Sequence, residues 1–192
     1  MSVQKHDTFR FQGKDYEIIA KSASGLFSPA DFGIKPWWTM STRMNGYGCE
    51  YALSDERLIL KYLCIDDTED GNLPPINGIE ASVFEHGGGG VYRDVNLPIP
   101  YTGKILLGDD FIWEYRTHMG YQNAWAYGKL IELIFVEGLL IEFRDISHLA
   151  KAQRGIMEKQ GENPRNLRVE DRFSLNYWKI RWVDKETPFG DW

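Results

Sequence analysis

Residues 85–90, Glu85-His86-Gly87-Gly88-Gly89-Gly90, are of a type that can serve acyl transfer. A His-Gly-Gly-Gly loop supplies oxyanion-hole amides in lipases and esterases. That chemistry also needs a nucleophile on a Gly-x-Ser-x-Gly elbow, and the chain contains no such elbow. The glycine run is therefore read as a flexible connection, able at most to act as a mobile cover. The stretch Asp66-Asp67-Thr68-Glu69-Asp70-Gly71 begins like a calcium loop. Asn77 stands where the terminal acid of such a loop is required, and prolines intervene, so a solvated acidic loop is expected. The histidines are His6, His86, His118 and His148; none is spaced from another His or a Cys as metal ligands are. No metal and no cofactor is expected.

His118 is the one catalytic candidate. It follows an apolar stretch, within Thr117-His118-Met119-Gly120-Tyr121, and meets a glycine that permits a bend. It can act as a general base, as a polar group in a cavity, or simply as a hydrogen-bonded residue at a strand end. Glu114, Glu132 and Glu142 sit among apolar residues, and strand alternation sends them to solvent. A closed barrel could turn some of them inward, where burial would raise the pKa and make an acid. The chain holds seven Trp, ten Tyr and ten Phe, a surplus that suits a half-buried β surface and also an interface. His118, Tyr121, Trp113, Trp125, Trp37 and Trp38 are the candidates for binding a ligand or partner.

Composition narrows the function classes. The formal net charge is −6, with no Lys/Arg run and no basic helix, which argues against nucleic-acid binding. The basic–aromatic segment Tyr177-Trp178-Lys179-Ile180-Arg181-Trp182 alternates as a strand does. The N-terminal residues Met1 to His6 carry no apolar signal core, and no run reaches the length of a membrane span. A cytoplasmic protein is expected, with no membrane partner. Cys49 and Cys64 are the only cysteines and are read as reduced core thiols.

The elements that must position these residues are successive hairpins. Apolar strands flank tight polar turns at Asp55-Glu56, at Gly108-Asp109-Asp110 and at Glu137-Gly138, and a shorter hairpin turns at Gln12-Gly13. With Asp55-Glu56 as a two-residue turn, Leu53 faces Leu58, Tyr51 faces Leu60, Cys49 faces Tyr62 and Tyr47 faces Cys64, which sets the cysteines diagonally and out of disulfide reach. Residues 37–42 and 92–95 read as strands, 76–84 as a strand or short bridge, and 28–31 as one helical turn. Residues 146–160 form a helix opened by Asp145 or Ser147 and closed by Gly161 and Pro164, with Leu149, Ala152, Ile156 and Met157 on one side. Residues 173–183 form a last strand. The strands are too closely spaced for long βαβ units. The reading is one mostly β domain over residues 1–192: an antiparallel, calycin-like β-barrel or strongly curved sheet with a helix near 146–160, a sandwich being the alternative.

Three segments resemble a family of uncharacterised β-rich bacterial proteins. They are Ser41-Thr42 with Gly46-Tyr47, Tyr51 to Asp55 and Leu58-Ile59-Leu60; then Tyr101 to Ile105; then His118-Met119-Gly120-Tyr121. The resemblance spans roughly residues 37–145 and implies a compact β-rich cytoplasmic protein. It carries no functional residues over.

Three functions remain open. The leading reading is a non-enzymatic protein that recognises another protein, an immunity-type inhibitor being one form. The second is a calycin-like barrel that binds a small apolar ligand. The third is a hydrolase-type enzyme using His118.

Overall fold

Alternating apolar residues fold the described residues into eleven strands and one helix. The computed structural model describes residues 2–24 and 26–161. The strands are β1 Thr8–Phe11, β2 Lys14–Lys21, β3 Pro36–Trp37, β4 Tyr47–Ser54, β5 Arg57–Ile65, β6 Asp67–Thr68, β7 Ser82–Val83, β8 Gly90–Pro98, β9 Gly103–Phe111, β10 Tyr127–Val136 and β11 Leu139–Asp145. The helix α1 is Ser147–Gln160, and a short 3-10 turn at Pro29–Phe32 occupies the place read as one helical turn. The main sheet runs β11-β10-β9-β2-β1-β4-β5-β8-β7, and a β11–β5 contact at Leu139 and Arg57 closes seven of these strands into a barrel. The mostly β barrel with a single helix read from the sequence is therefore present. Among the described residues, no helix is long and apolar enough to cross a membrane.

Three tight hairpins carry the wall. Gln12-Gly13, Asp55-Glu56 and Glu137-Gly138 all take positive φ at both positions, the geometry that matches the right-handed twist of the strands they join. Pairing is antiparallel except between β1 and β4, which run parallel with Phe9 opposite Tyr51. The long connection over residues 22–46 makes this possible, because it carries the chain back so that β4 enters alongside β1.

Alternate side chains of these strands fill the barrel. Phe9, Tyr51, Leu60, Leu63, Leu133 and Phe135 are buried there, and the Phe135 ring lies 6.3 Å from Phe9 and 6.2 Å from Tyr101. Each such side chain contributes about 1.5–3 kcal/mol through burial. A second, smaller apolar cluster lies outside the wall, where Ala150 of α1 and the turn residues Ala124 and Ala126 cover Leu106 and Leu130. Arg154 of α1 ties this layer down by donating from Nη1 to the carbonyls of Trp125 and Tyr127, both at 2.9 Å.

Several expectations are corrected. Gly108-Asp109-Asp110 is not a turn: β9 runs straight through it and pairs with β10 from Phe111–Tyr127 to Gly103–Phe135. Gly108 is there because a Cβ would stand 2.6 Å from Ile19 Cγ1 and 2.9 Å from Tyr127 Cδ1. Residues 113–115 consequently form a 3-10 turn, and Glu114 is exposed on it rather than in a strand. The strand read at 37–42 shrinks to Pro36–Trp37. In the β4–β5 hairpin, Leu53–Leu58 and Tyr51–Leu60 pair as read. A bulge at Lys61 then shifts the register, so Cys49 faces Leu63 and Tyr47 faces Ile65. Cys64 faces Gly48, which places the two thiols on opposite faces of the hairpin; both are free.

Glu132 is fully buried, not solvated. Alternation does send it outward, away from Leu133 and the lumen. There Arg144 of β11 and Lys104 of β9 lie beside it. Ala152 is exposed; Ala150 and Met157 of α1 are buried, and Leu149 packs partly buried against the outer cluster. Ser147 N–H donates to Asp145 Oδ1 at 3.0 Å at the start of α1, and Gly161 closes it with φ 64°. The strand read at 173–183, Pro164 and the terminal Phe189 to Trp192 lie outside the described residues.

Candidate functional site

Two features on one side of the barrel stand out. The first is an open cleft of about 720 Å³ outside the wall. One side is the N-terminal segment, which runs beside Gly120: Val3 bridges Gly120, and Gln4 N–H donates to the Gly120 carbonyl at 2.8 Å. The other side is the connection 112–126 between β9 and β10. Glu17 of β2, Phe111 of β9 and Tyr127 of β10 form the inner surface. Phe111 meets Trp113 edge-on at 5.4 Å and Tyr127 edge-on at 5.3 Å, so the three rings make one fixed aromatic wall. The Tyr127 hydroxyl donates to Glu17, and burial together with that carboxylate pushes the phenol well above its ordinary range. Lys5, Arg116 and His118 also line the cleft, and the Arg116 guanidinium lies 5.5 Å over the Trp113 ring.

Behind this cleft sits a polar layer. His6 is buried, with Nδ1 at 2.8 Å from the Ile18 carbonyl and Nε2 accepting from Gln122 N–H at 3.3 Å. That pairing requires the neutral Nδ1–H tautomer. Burial lowers the His6 pKa, against opposing pulls from Glu17 and the Ile18 carbonyl. The His6 ring packs 4.9 Å from Tyr121, whose phenol is pushed up to about 12 by burial and by Asp7. Asp7 accepts the Cys49 N–H at 2.8 Å, and burial raises its carboxyl to about 6.

The second feature is the loop 36–46. Its backbone is tied to the N-terminal segment by Lys5 N–H to the Thr42 carbonyl at 2.7 Å and by Met44 N–H to Gln4 Oε1 at 3.1 Å. Gly46 closes the loop on itself, since a Cβ there would stand 2.9 Å from the Trp37 carbonyl carbon. Trp37, Trp38, Met40 and Met44 project from it at 53%, 48%, 47% and 45% exposure. An ordered loop thus holds four large apolar side chains in water.

The sequence-selected residues divide among these features. Trp113 and His118 line the cleft, Tyr121 lies behind it against His6, and Trp37 and Trp38 belong to the exposed loop. Trp125, on the 3-10 turn Ala124–Ala126, is buried at 4% exposure. His118 is exposed and, among the described residues, makes no hydrogen bond that would orient or activate its ring.

Sequence reasoning missed Lys5, His6, Glu17, Arg116, Met40 and Met44. The two methionines carried a readable signal, since they follow Trp37-Trp38 in a stretch that forms almost no strand. The cleft residues carried none, because they come from four separate segments.

The two motif-like stretches are occupied structurally. Gly88 N–H donates to Asp67 Oδ1 at 2.6 Å, and Thr68 Oγ1 donates to the Gly88 carbonyl at 3.0 Å. A Cβ on Gly89 would stand 2.3 Å from the Asp66 carbonyl oxygen. The glycine run is therefore a clamp that admits close backbone approach, not a flexible connection. Asp66 is ion-paired to Arg43 at 2.6 Å, and among the described residues no group of His, Cys, Asp and Glu is placed to hold a metal.

No protein-family model matches the chain, and neither does any curated protein or any solved structure.

Proposed function

We propose that this is a non-enzymatic protein that recognises another protein through the loop 36–46. The observation that carries this reading is the set of four half-exposed residues, Trp37, Trp38, Met40 and Met44, on a loop whose backbone is hydrogen-bonded in place. Trp is a frequent interface anchor, and Met adapts its shape to a facing surface. An ordered loop loses little entropy when a partner covers it, so its apolar area converts more fully into affinity. The net charge of −6 favours a basic partner. A toxin-neutralising, immunity-type inhibitor is one form this function takes.

The alternative of a calycin-like carrier with its ligand in the lumen finds little support, because Phe9, Tyr51, Tyr101 and Phe135 occupy that interior. The hydrolase-type alternative finds little support, because no acid among the described residues is hydrogen-bonded to His118.

Site-specific photocrosslinking in cell lysate tests the proposal. A benzophenone side chain at position 38 or 44 is expected to capture the same single protein, with no such adduct from position 151 on the exposed face of α1. Equal, scattered labelling from all three positions would contradict it.

A further inference from the structure

The outer cleft adjoins the partner loop, whose Thr42 lines it, but its chemistry points to a different class of ligand. Its volume of about 720 Å³ falls in the range of small-molecule sites, roughly 300–1,000 Å³. Its apolar part is built on Phe111, which is edge-on to both Trp113 and the 1%-exposed Tyr127. Trp113 is 65% exposed, so one face of the wall stands open to an incoming apolar group.

The charges set the polarity of that group. The molecule carries net −6, yet this cleft is lined by Lys5 and Arg116 against one acid, Glu17. Elsewhere Lys14, Arg43 and Lys129 each hold an aspartate. Among the described residues, neither Lys5 nor Arg116 has a carboxylate in ion-pair contact. Arg116 instead rests over the Trp113 ring, which keeps its guanidinium beside the aromatic wall. Glu17 already accepts the Tyr127 hydroxyl. An entering anion therefore meets two cations that no carboxylate among the described residues pairs, whereas an entering cation meets a carboxylate whose capacity is partly used and two like charges.

We infer that the cleft binds a small organic acid, with a flat apolar body against Phe111 and Trp113 and its carboxylate held by Lys5 and Arg116. Glu17 repels the acid group from the inner end and so fixes which way round the ligand lies. His118 lines the same cleft and offers a further donor.

Isothermal titration with three probes that share an indole ring tests this directly: indole-3-acetate, its neutral amide indole-3-acetamide, and the cation tryptamine. The acid is expected to bind with Kd of about 1 mM or tighter. The amide should bind at least about tenfold more weakly, and tryptamine more weakly still. The double variant Lys5→Ala/Arg116→Ala, checked for an unchanged Tm, should lower acid affinity to that of the amide while leaving amide binding unaltered. Trp113→Ala should weaken the acid and the amide together. Equal binding of all three probes, tighter binding of tryptamine, no binding of the acid, or an acid affinity unchanged in the double variant would each overturn the inference.

Discussion

Asp7 accepts the Cys49 amide between β1 and β4, and its carboxyl is held at about 6 by burial, against the pull of the Cys49 N–H, Lys21 and Arg43. The sign of its effect on stability follows. A carboxyl whose folded pKa lies above its unfolded value binds its proton more tightly in the native state. Its contribution to stability is greatest below about 3.8 and is lost as pH rises to about 6. Asp7→Asn keeps an oxygen for the Cys49 amide and removes the titration. The variant is expected to gain stability relative to the wild type between pH 4 and pH 7, by on the order of 2 kcal/mol. Urea unfolding at both pH values checks this, and equal differences at the two values would refute it. His6 works in the opposite sense: its lowered pKa gives stability that is present above its unfolded pKa of about 6.5 and falls as pH drops below it. Asp145, lowered to about 2 by Lys129 and Ser147, contributes stability above about 3.8 that is lost as pH falls toward 2. None of these shifts is written in the sequence, because those of Asp7 and His6 depend on what the fold buries around them and that of Asp145 on Lys129 being brought beside it across the β10–β11 hairpin.

Glycines show how far an element can be read from its residues. Gly108 looks like part of a polar turn in sequence and is in fact a contact point inside β9. Gly155 looks like a helix weakener and is one, since nothing lies within 4 Å of a Cβ built there. The two should respond oppositely to alanine. Gly108→Ala forces a methyl against Ile19 and Tyr127 and is expected to cost about 1–3 kcal/mol. Gly155→Ala is expected to stabilise by about 1 kcal/mol. Thermal and urea unfolding of the two variants decide the matter, and like-signed effects would show the account of β9 to be wrong.

The other hairpins were legible because their turns carry their own geometry: Gln12-Gly13 and Glu137-Gly138 have a glycine for the second positive φ, and flanking apolar residues set the pairing. The bulge at Lys61 was not legible, because both ladders of β5, to β4 and to β8, skip Lys61, and β8 lies far from it in the sequence. The cleft was legible only at Trp113 and His118. Its other residues are brought together by the β2–β9 and β9–β10 pairings and by the N-terminal segment running beside Gly120, contacts between segments far apart in the sequence.

At the scale of the whole barrel, the closed wall means that a partner of the kind proposed would meet its outer surface. Side chains fill the interior, α1 seals one patch of the outer surface, and the N-terminal segment braces both the loop 36–46 and the cleft. Hydrogen exchange is the most direct measurement. With the protein captured at position 38 added in excess, amides of residues 36–46 are predicted to slow markedly, while those of β9 and β10 keep their exchange rates. Unchanged exchange across 36–46, with new protection confined to another surface of the barrel, would contradict the proposal that this loop is where the partner binds.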